Sequence, residues 1–156
     1  METQKTELRI EPITEQNRTE AESLHIASAQ TGFIESVVDC LKEADKKKCW
    51  RPVGIYAGNT MVGFAMYGFF WMYFPFGRVW LDRLMIDERY QGRGYGKTAL
   101  RKLLNRLQNE YKRNKIYLSV YKENRVAIQM YEKAGFRFTR GKDIHGELVM
   151  SVKLSD

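Results

Sequence analysis

Hydrophobic and polar positions along this chain follow two rhythms, a period of two for half-buried strands and a period near 3.6 for one-faced helices. Leu8-Arg9-Ile10 alternates and stops at Pro12, which predicts a first strand. Thr14 to Asn17 offers caps for a helix over Thr19 to Ala27, and Gly32 then breaks the chain. Ile34, Val37, Val38, Leu41 and Ala44 recur at helical spacing and predict a second helix from Ile34 to Ala44 with that stripe buried. Val53 to Tyr56 reads as a short strand, Gly58-Asn59 as a turn, and Met61 to Phe74 as a long strand rich in β-formers. Pro75-Phe76-Gly77 turns the chain into another strand, Val79 to Ile86. Successive strands joined by tight turns predict an antiparallel meander.

The rhythm then changes. Leu100, Leu103, Leu104, Leu107 and Tyr111 share one helix face, with Arg101, Lys102, Arg106 and Lys112 off it. Ile116 to Tyr121 is a strand reached through that helix, so it is expected to run parallel to Val79–Ile86. Arg125 to Ala134 predicts a further helix ended by Gly135 at a C-cap position. Phe136 to Arg140 and Glu147 to Leu154 close the chain as strands. A meander joined to one βαβ unit predicts an α/β domain with a mixed sheet, spanning residues 1–156 as a single unit without repeat or linker.

Composition narrows the class. A hydrophobic share of 44% excludes disorder. No apolar run reaches the roughly 20 residues of a membrane span; Phe64 to Phe76 is broken by Gly68 and Pro75. Met1 to Lys5 has no apolar signal region, so a cytoplasmic protein with no membrane partner is expected, with Cys40 and Cys49 as free thiols. His25, His145 and the two cysteines give no zinc spacing, so no metal is expected, and no serine has a nucleophile elbow around it. The net charge of +7 suggests an anionic partner: nucleic acid, a membrane surface or a phosphorylated cofactor. The dense run Lys46-Lys47-Lys48 reads as a solvated helix end rather than a nucleic-acid patch.

The chemistry concentrates in Gln91-Gly92-Arg93-Gly94-Tyr95-Gly96-Lys97, between a strand and an amphipathic helix. Alternate glycines let the backbone turn tightly and approach a ligand, and the helix behind them points its positive end at the same spot. That is an anion cradle, best suited to a diphosphate. Gly96-Lys97-Thr98 matches the end of a P-loop, but Gln91 stands where its first glycine belongs. The Gly92, Gly94, Gly96 spacing also fails the dinucleotide fingerprint.

The remaining pattern, Q/R-x-x-G-x-G/A, resembles that of the GNAT superfamily of acetyl-CoA-dependent N-acetyltransferases. A second signature, Asn124 to Phe136 in the form N-x-x-A-x-x-x-Y-x-x-x-G-F, resembles the same family, and the likeness covers nearly the whole chain. It implies a mixed, mostly antiparallel sheet whose fourth and fifth strands splay apart around the cofactor, with flanking helices. The backbone from Gly92 to Lys97, with Gln91, Arg93, Tyr95 and Lys133, would then hold the CoA diphosphate region. Leu84, Met85 and Ile86 would lie along the acetyl-pantetheine arm, Asn124 would hydrogen-bond it, and Tyr131 would sit near the sulfur.

Acetyl transfer to an amine needs a neutral nucleophile, donors for the oxyanion, a proton for the leaving thiolate and alignment. A strand N–H of Met85 or Ile86 suits the oxyanion, and Tyr131, protonated at neutral pH, suits the thiolate. For the base, Asp82 lies four residues before Ile86; an ion pair with Arg83 is an equal reading of that carboxylate. Glu35, Asp39 and Glu43 recur at i, i+4, i+8 on the second helix, and Asp143 and Glu147 flank the turn into the last strand. These carboxylates are candidates for a polycation, with Phe69, Phe70, Trp71, Tyr73 and Trp80 as candidates for an aromatic channel. In finer detail the chain resembles the bacterial spermine/spermidine acetyltransferases, through Gln30 to Glu35, Gly63 to Gly68, Trp80 to Arg83 and Gly146-Glu147. The expected partner is therefore a small polyamine, with no nucleic acid, and the family resemblance implies a homodimer. A protein, peptide or aminoglycoside amine is the alternative within the enzyme class. Outside it stands a nucleic-acid-binding or acetyl-CoA-sensing domain using Arg101 to Lys112.

Overall fold

A computed structural model describes residues 7–26, 36–73, 75–142 and 146–155. Its strands are β1 (Leu8–Pro12), β2 (Trp50–Ala57), β3 (Thr60–Phe70), β4 (Arg78–Ile86), β5 (Lys115–Val120), β6 (Arg137–Lys142) and β7 (Leu148–Lys153). Among the described residues they form one sheet in the order β1-β2-β3-β4-β5-β7-β6. The helices are α1 (Arg18–Glu22), α2 (Val37–Lys46), α3 (Tyr95–Tyr111) and α4 (Arg125–Lys133). β1 to β4 form the antiparallel meander, and β4 and β5 run parallel through α3, as the hydrophobic pattern predicts.

The sheet buries both faces. Alternation along β3 sends Phe64 and Met66 to one side, where they meet Val37, Cys40 and Leu41 of α2. Ala65 and Tyr67 go to the other, against Leu100, Leu103 and Leu107 of α3 with Ile116 and Phe136. Tyr67 is held there by its hydroxyl, which donates to Glu110 Oε2 at 2.6 Å and accepts from Arg106 Nε at 2.9 Å. A phenol in this apolar layer is stabilised by having both partners.

Several boundaries differ from the expected ones. α1 stops at Glu22 because Ser23 turns back on it, its hydroxyl donating to Glu20 O at 2.7 Å. α2 begins at Val37 because Ser36 Oγ accepts from Asp39 N at 3.1 Å, a helix N-cap. Its buried stripe is Val37, Cys40, Leu41 and Ala44, whereas Val38, one 100° step off that stripe, is exposed. Ile34 and Glu35 lie outside the described residues. β3 ends at Phe70, and Trp71 and Met72 project from the turn beyond it.

Pairing of β4 with β5 is short. It comprises Val79↔Ile116 and Trp80↔Tyr117 and then stops. At the same place the β3–β4 register slips: Met66 faces Arg83 and Tyr67 faces Leu81, so Asp82 is the extra residue of a bulge. A bulge bends its strand and strengthens the local twist. Here it turns the second half of β4 away from β5 and opens the sheet, which is the expected splay.

Candidate active site

The opening between β4 and β5 is a cleft of about 350 Å³. Its floor is the β5-facing edge of β4 from Asp82 to Ile86, and its far wall is Ser119, Val120 and Tyr121 at the end of β5. The glycine loop closes one end, with Met130 Sδ 3.4 Å from where a Cβ on Gly96 would stand, and Ala127 and Tyr131 of α4 with Glu147 before β7 complete the lining.

The glycine loop has the shape its sequence requires. Gly92 and Gly94 take φ of +82° and +79°, and nothing lies within 4 Å of where a Cβ would stand at either. Gly94 is the left-handed N-cap of α3 and supplies no side-chain cap. No acidic side chain occupies the first turn. The N–H groups of that turn are thus left for a ligand, at the positive end of a 17-residue helix. A cradle of bare amides with open space around its glycines and Lys97 at its lip has the chemistry that an anionic group needs.

The loop is fixed from behind. Gln91 Nε2 donates to Ile86 O at 2.9 Å, folding the loop's start onto the strand's end. Asp87, fully buried, is the stronger anchor. Its Oδ1 accepts from Arg89 N and Nε at 2.9 and 3.0 Å, and its Oδ2 from His25 N and Arg89 Nη2 at 2.8 and 2.9 Å. Burial opposes its charge, but these bonds outweigh burial and hold the carboxyl down at about 2. It caps the 3₁₀ turn Glu88–Tyr90 and ties the chain after α1 to the cradle.

Tyr131 is placed by the end of its own helix. Phe136 N donates to Tyr131 O at 3.0 Å and Gly135 N to Glu132 O at 3.0 Å. These are the two bonds of a Schellman motif, with Ala134 as C-cap and Gly135 one residue beyond it at φ +104°. The hydrophobic contact that completes the motif is the Tyr131 ring against Phe136, centroids 5.6 Å apart. The spacing Y-x-x-x-G-F is thus a device for holding one ring. Tyr131 is 9% exposed, and burial pushes its hydroxyl up to about 12 although the nearby Arg83 charge pulls the other way.

At the other end of α4, Asn124 is the N-cap, its Oδ1 accepting from Ala127 N at 3.4 Å. The carbonyl end is therefore used by the helix, and the NH₂ end is what the residue has to offer a ligand. Asp82 lies in the bulge with Arg83 Nη1 at 3.5 Å from its Oδ2. The ion pair exists, and the same carboxylate lines the cleft.

Most of the expected cofactor residues therefore meet in one cleft: Leu84, Met85 and Ile86, Gln91 with Gly92 and Gly94 to Lys97, and Asn124 with Tyr131. Arg93 and Lys133 are exposed and outside its lining; Arg93 lies over the Tyr90 ring at 5.5 Å. Of the expected acceptor carboxylates, Asp82 and Glu147 line the cleft, whereas Asp39 and Glu43 sit on α2 away from its lining. Glu35 and Asp143 lie outside the described residues. The aromatic residues Phe69, Phe70, Trp71, Tyr73 and Trp80 do not line it either; they belong to the opposite end of β3 and β4. Sequence reasoning missed Tyr90, Ser119, Tyr121 and Met130. The signal that finds Ser119 and Tyr121 is topological, since ligands collect at the carboxyl ends of splayed strands.

Residues 12–136 match the acetyltransferase (GNAT) family. The chain belongs to that family. It is 43% identical to the spermine/spermidine N(1)-acetyltransferase of Bacillus subtilis strain 168 over 150 residues, 94% of this chain and 99% of the relative. Its fold matches an acetyltransferase from Thermus thermophilus with a TM-score of 0.75 at 24% identity, covering 94% of this chain and 97% of that one. It also matches the spermidine N-acetyltransferase of Vibrio cholerae, solved with CoA and spermine, with a TM-score of 0.70 at 17% identity over 94% and 95% of the two chains. The splayed sheet, glycine cradle and cleft of this acetyltransferase are thus those of a GNAT fold, with acetyl-CoA as its acyl donor. Among the described residues no cluster could hold a metal ion, and no helix is long and apolar enough to cross a membrane.

Proposed function

We propose that this acetyltransferase moves an acetyl group to a primary amine of a polyamine, spermine or spermidine, by direct attack in a ternary complex. The observation that carries the reading is one cleft holding an anion cradle at one end and two carboxylates, Asp82 and Glu147, beyond it. With Asp82 paired to Arg83, Glu147 leaves this part of the cleft one negative charge in excess, which favours a cationic acceptor threading past Tyr131. The 43% identity to the Bacillus spermine/spermidine enzyme supports the same acceptor.

Acetyl-CoA supplies a thioester carbonyl and a thiolate leaving group. The backbone N–H groups from Gly92 to Lys97 bind its diphosphate, and the open edge of β4 from Leu84 to Ile86 aligns its pantetheine arm, with the Asn124 NH₂ as a further donor. The N–H of Met85 or Ile86 stabilises the charge that builds on the carbonyl oxygen. Asp82, directly or through water, takes the proton released as the amine nitrogen bonds to the carbonyl carbon. Tyr131 gives its hydroxyl proton to the sulfur as the carbon–sulfur bond breaks. Glu147 holds a second ammonium group of the acceptor.

Purified protein with acetyl-CoA and a panel of amines, followed through release of CoA thiol, tests the acceptor. Turnover with spermidine and spermine is expected. Turnover confined to a peptide or an aminoglycoside would remove the polyamine reading and leave the acetyltransferase one standing. Glu147→Gln should raise the polyamine KM about five-fold, as befits a half-exposed ion pair of about 1 kcal/mol, and leave the acetyl-CoA KM unchanged. On the same reading the enzyme is a cytoplasmic homodimer. Light scattering should then give twice the mass of one chain, and a monomer at all concentrations would exclude it.

A further inference from the structure

One end of the sheet carries a cluster of basic residues around an apolar tip. β4 runs from Arg78 to Ile86, so the turn before it lies about 26 Å along the strand from the glycine cradle. Three large apolar side chains project from that turn: Trp71, Met72 and Phe76 are 72%, 78% and 74% exposed. They are the most exposed aromatic or methionine side chains among the described residues. A cluster of this kind on a folded surface marks contact with something else.

Cations collar it. Arg113 Nη2 donates to Phe76 O at 3.2 Å and its guanidinium lies over the Phe69 ring, which in turn packs edge-on to Trp71. Arg78 stacks over Tyr73 and Tyr117, and Lys115 also lies over the Tyr117 ring. Lys153 faces Lys115 across β5 and β7. The run Lys46-Lys47-Lys48 joins them through tertiary structure: it precedes Trp50, whose ring meets Phe70 at 4.6 Å. Glu110, beside Tyr111 on α3, is engaged by the Tyr67 hydroxyl, and Asp45, next to the lysine run, by Arg18.

We propose that this end of the molecule docks on an anionic lipid surface, with Trp71, Met72 and Phe76 entering the headgroup boundary and the lysine run and collar facing the phosphates. The tip is a protruding turn, not a groove, which suits a bilayer better than a single-stranded nucleic acid tracked along stacking platforms. Met72 offers a base no ring face to stack on. A second copy of this chain would bring the same collar of cations against itself across a two-fold contact, which like-charge repulsion disfavours. The cradle and cleft stay free at the far end, so docking and acetyl transfer are separate, and neither depends on the acceptor.

Vesicles of phosphatidylcholine alone and with about 30% phosphatidylglycerol, enough for a surface potential of tens of millivolts, test it by co-sedimentation at low and high salt. Binding to the anionic vesicles that falls with salt is expected, together with a blue shift of tryptophan emission. Trp50 and Trp80 are already largely shielded, so that shift reports Trp71. A Trp71→Ser/Phe76→Ser protein should lose the shift and most of the binding with unchanged melting temperature and turnover. Changing Lys46, Lys47 and Lys48 together to Gln should weaken partition about 100-fold, from about 1 kcal/mol per lysine. No association with anionic vesicles overturns the proposal. So does tighter binding to an RNA oligomer than to vesicles, or self-association that Trp71→Ser abolishes.

Discussion

Tyr131→Phe should lower kcat by about 100- to 1000-fold, the usual contribution of a positioned general acid, while the Kd for CoA changes by less than about three-fold. The substitution keeps the ring that packs on Phe136 and keeps both bonds of the Schellman turn, which are backbone bonds. Stability should therefore hold, and the loss falls on chemistry alone. Stopped-flow or steady-state thiol release with CoA binding by calorimetry checks both halves. Wild-type turnover in the variant would show that Tyr131 is not the proton donor. The pH dependence follows from burial. The folded hydroxyl ionises near 12, above its ordinary value of 10. A raised pKa contributes stability in full below pH 10 and loses it as pH rises towards 12. Up to pH 10 the acid stays protonated, so Tyr131 should give kcat no descending alkaline limb in that range.

Gly94→Val should raise the acetyl-CoA KM by about 100-fold with kcat largely retained at saturation. Residue 94 holds φ +79° at the helix N-cap. A β-branched residue there costs about 1–2 kcal/mol in the left-handed region, and relief of that strain turns the amides away from the diphosphate. Losing one charge-assisted bond adds about 1.5 kcal/mol, and every 1.4 kcal/mol is ten-fold in affinity. The open space around residue 94 means the effect is on backbone conformation rather than a clash in the free protein. Calorimetric titration with CoA reads it without any amine. Unchanged CoA affinity would mean that the cradle is not where the diphosphate binds.

The glycine loop and the Asn124–Phe136 signature were legible because each is local. A left-handed turn needs glycine where it stands, and a Schellman end needs its glycine and its apolar partner at fixed offsets from Tyr131. Asp87 escaped notice because its local bonds to Arg89 give no sign that the carboxylate is buried or tied to a distant segment. Its complete burial and the bond from His25 N, 62 residues away, appear only in the folded chain. The acidic stripe of Asp39 and Glu43 shows the converse. Helical periodicity correctly puts them on one flank of α2, but periodicity says nothing about which flank faces a cleft.

The meander, the βαβ crossover, the glycine loop and the Tyr131 ring against Phe136 are all readable from the chain without its fold. Each depends on interactions within a turn or two of chain, where side-chain chemistry and backbone geometry are coupled directly. Packing between distant elements set three other things. It placed the Asp82 bulge at the point where β4 leaves β5, so that the sheet opens there and the cleft exists. It chose Asp82 and Glu147, distant in sequence, as the carboxylates that share that cleft. It also gathered the lysine run, the β3–β4 turn and the first residues of β5 at one end of the sheet. Those outcomes depend on register and strand order, which are set by packing between elements far apart along the chain and leave no mark in any one stretch of it.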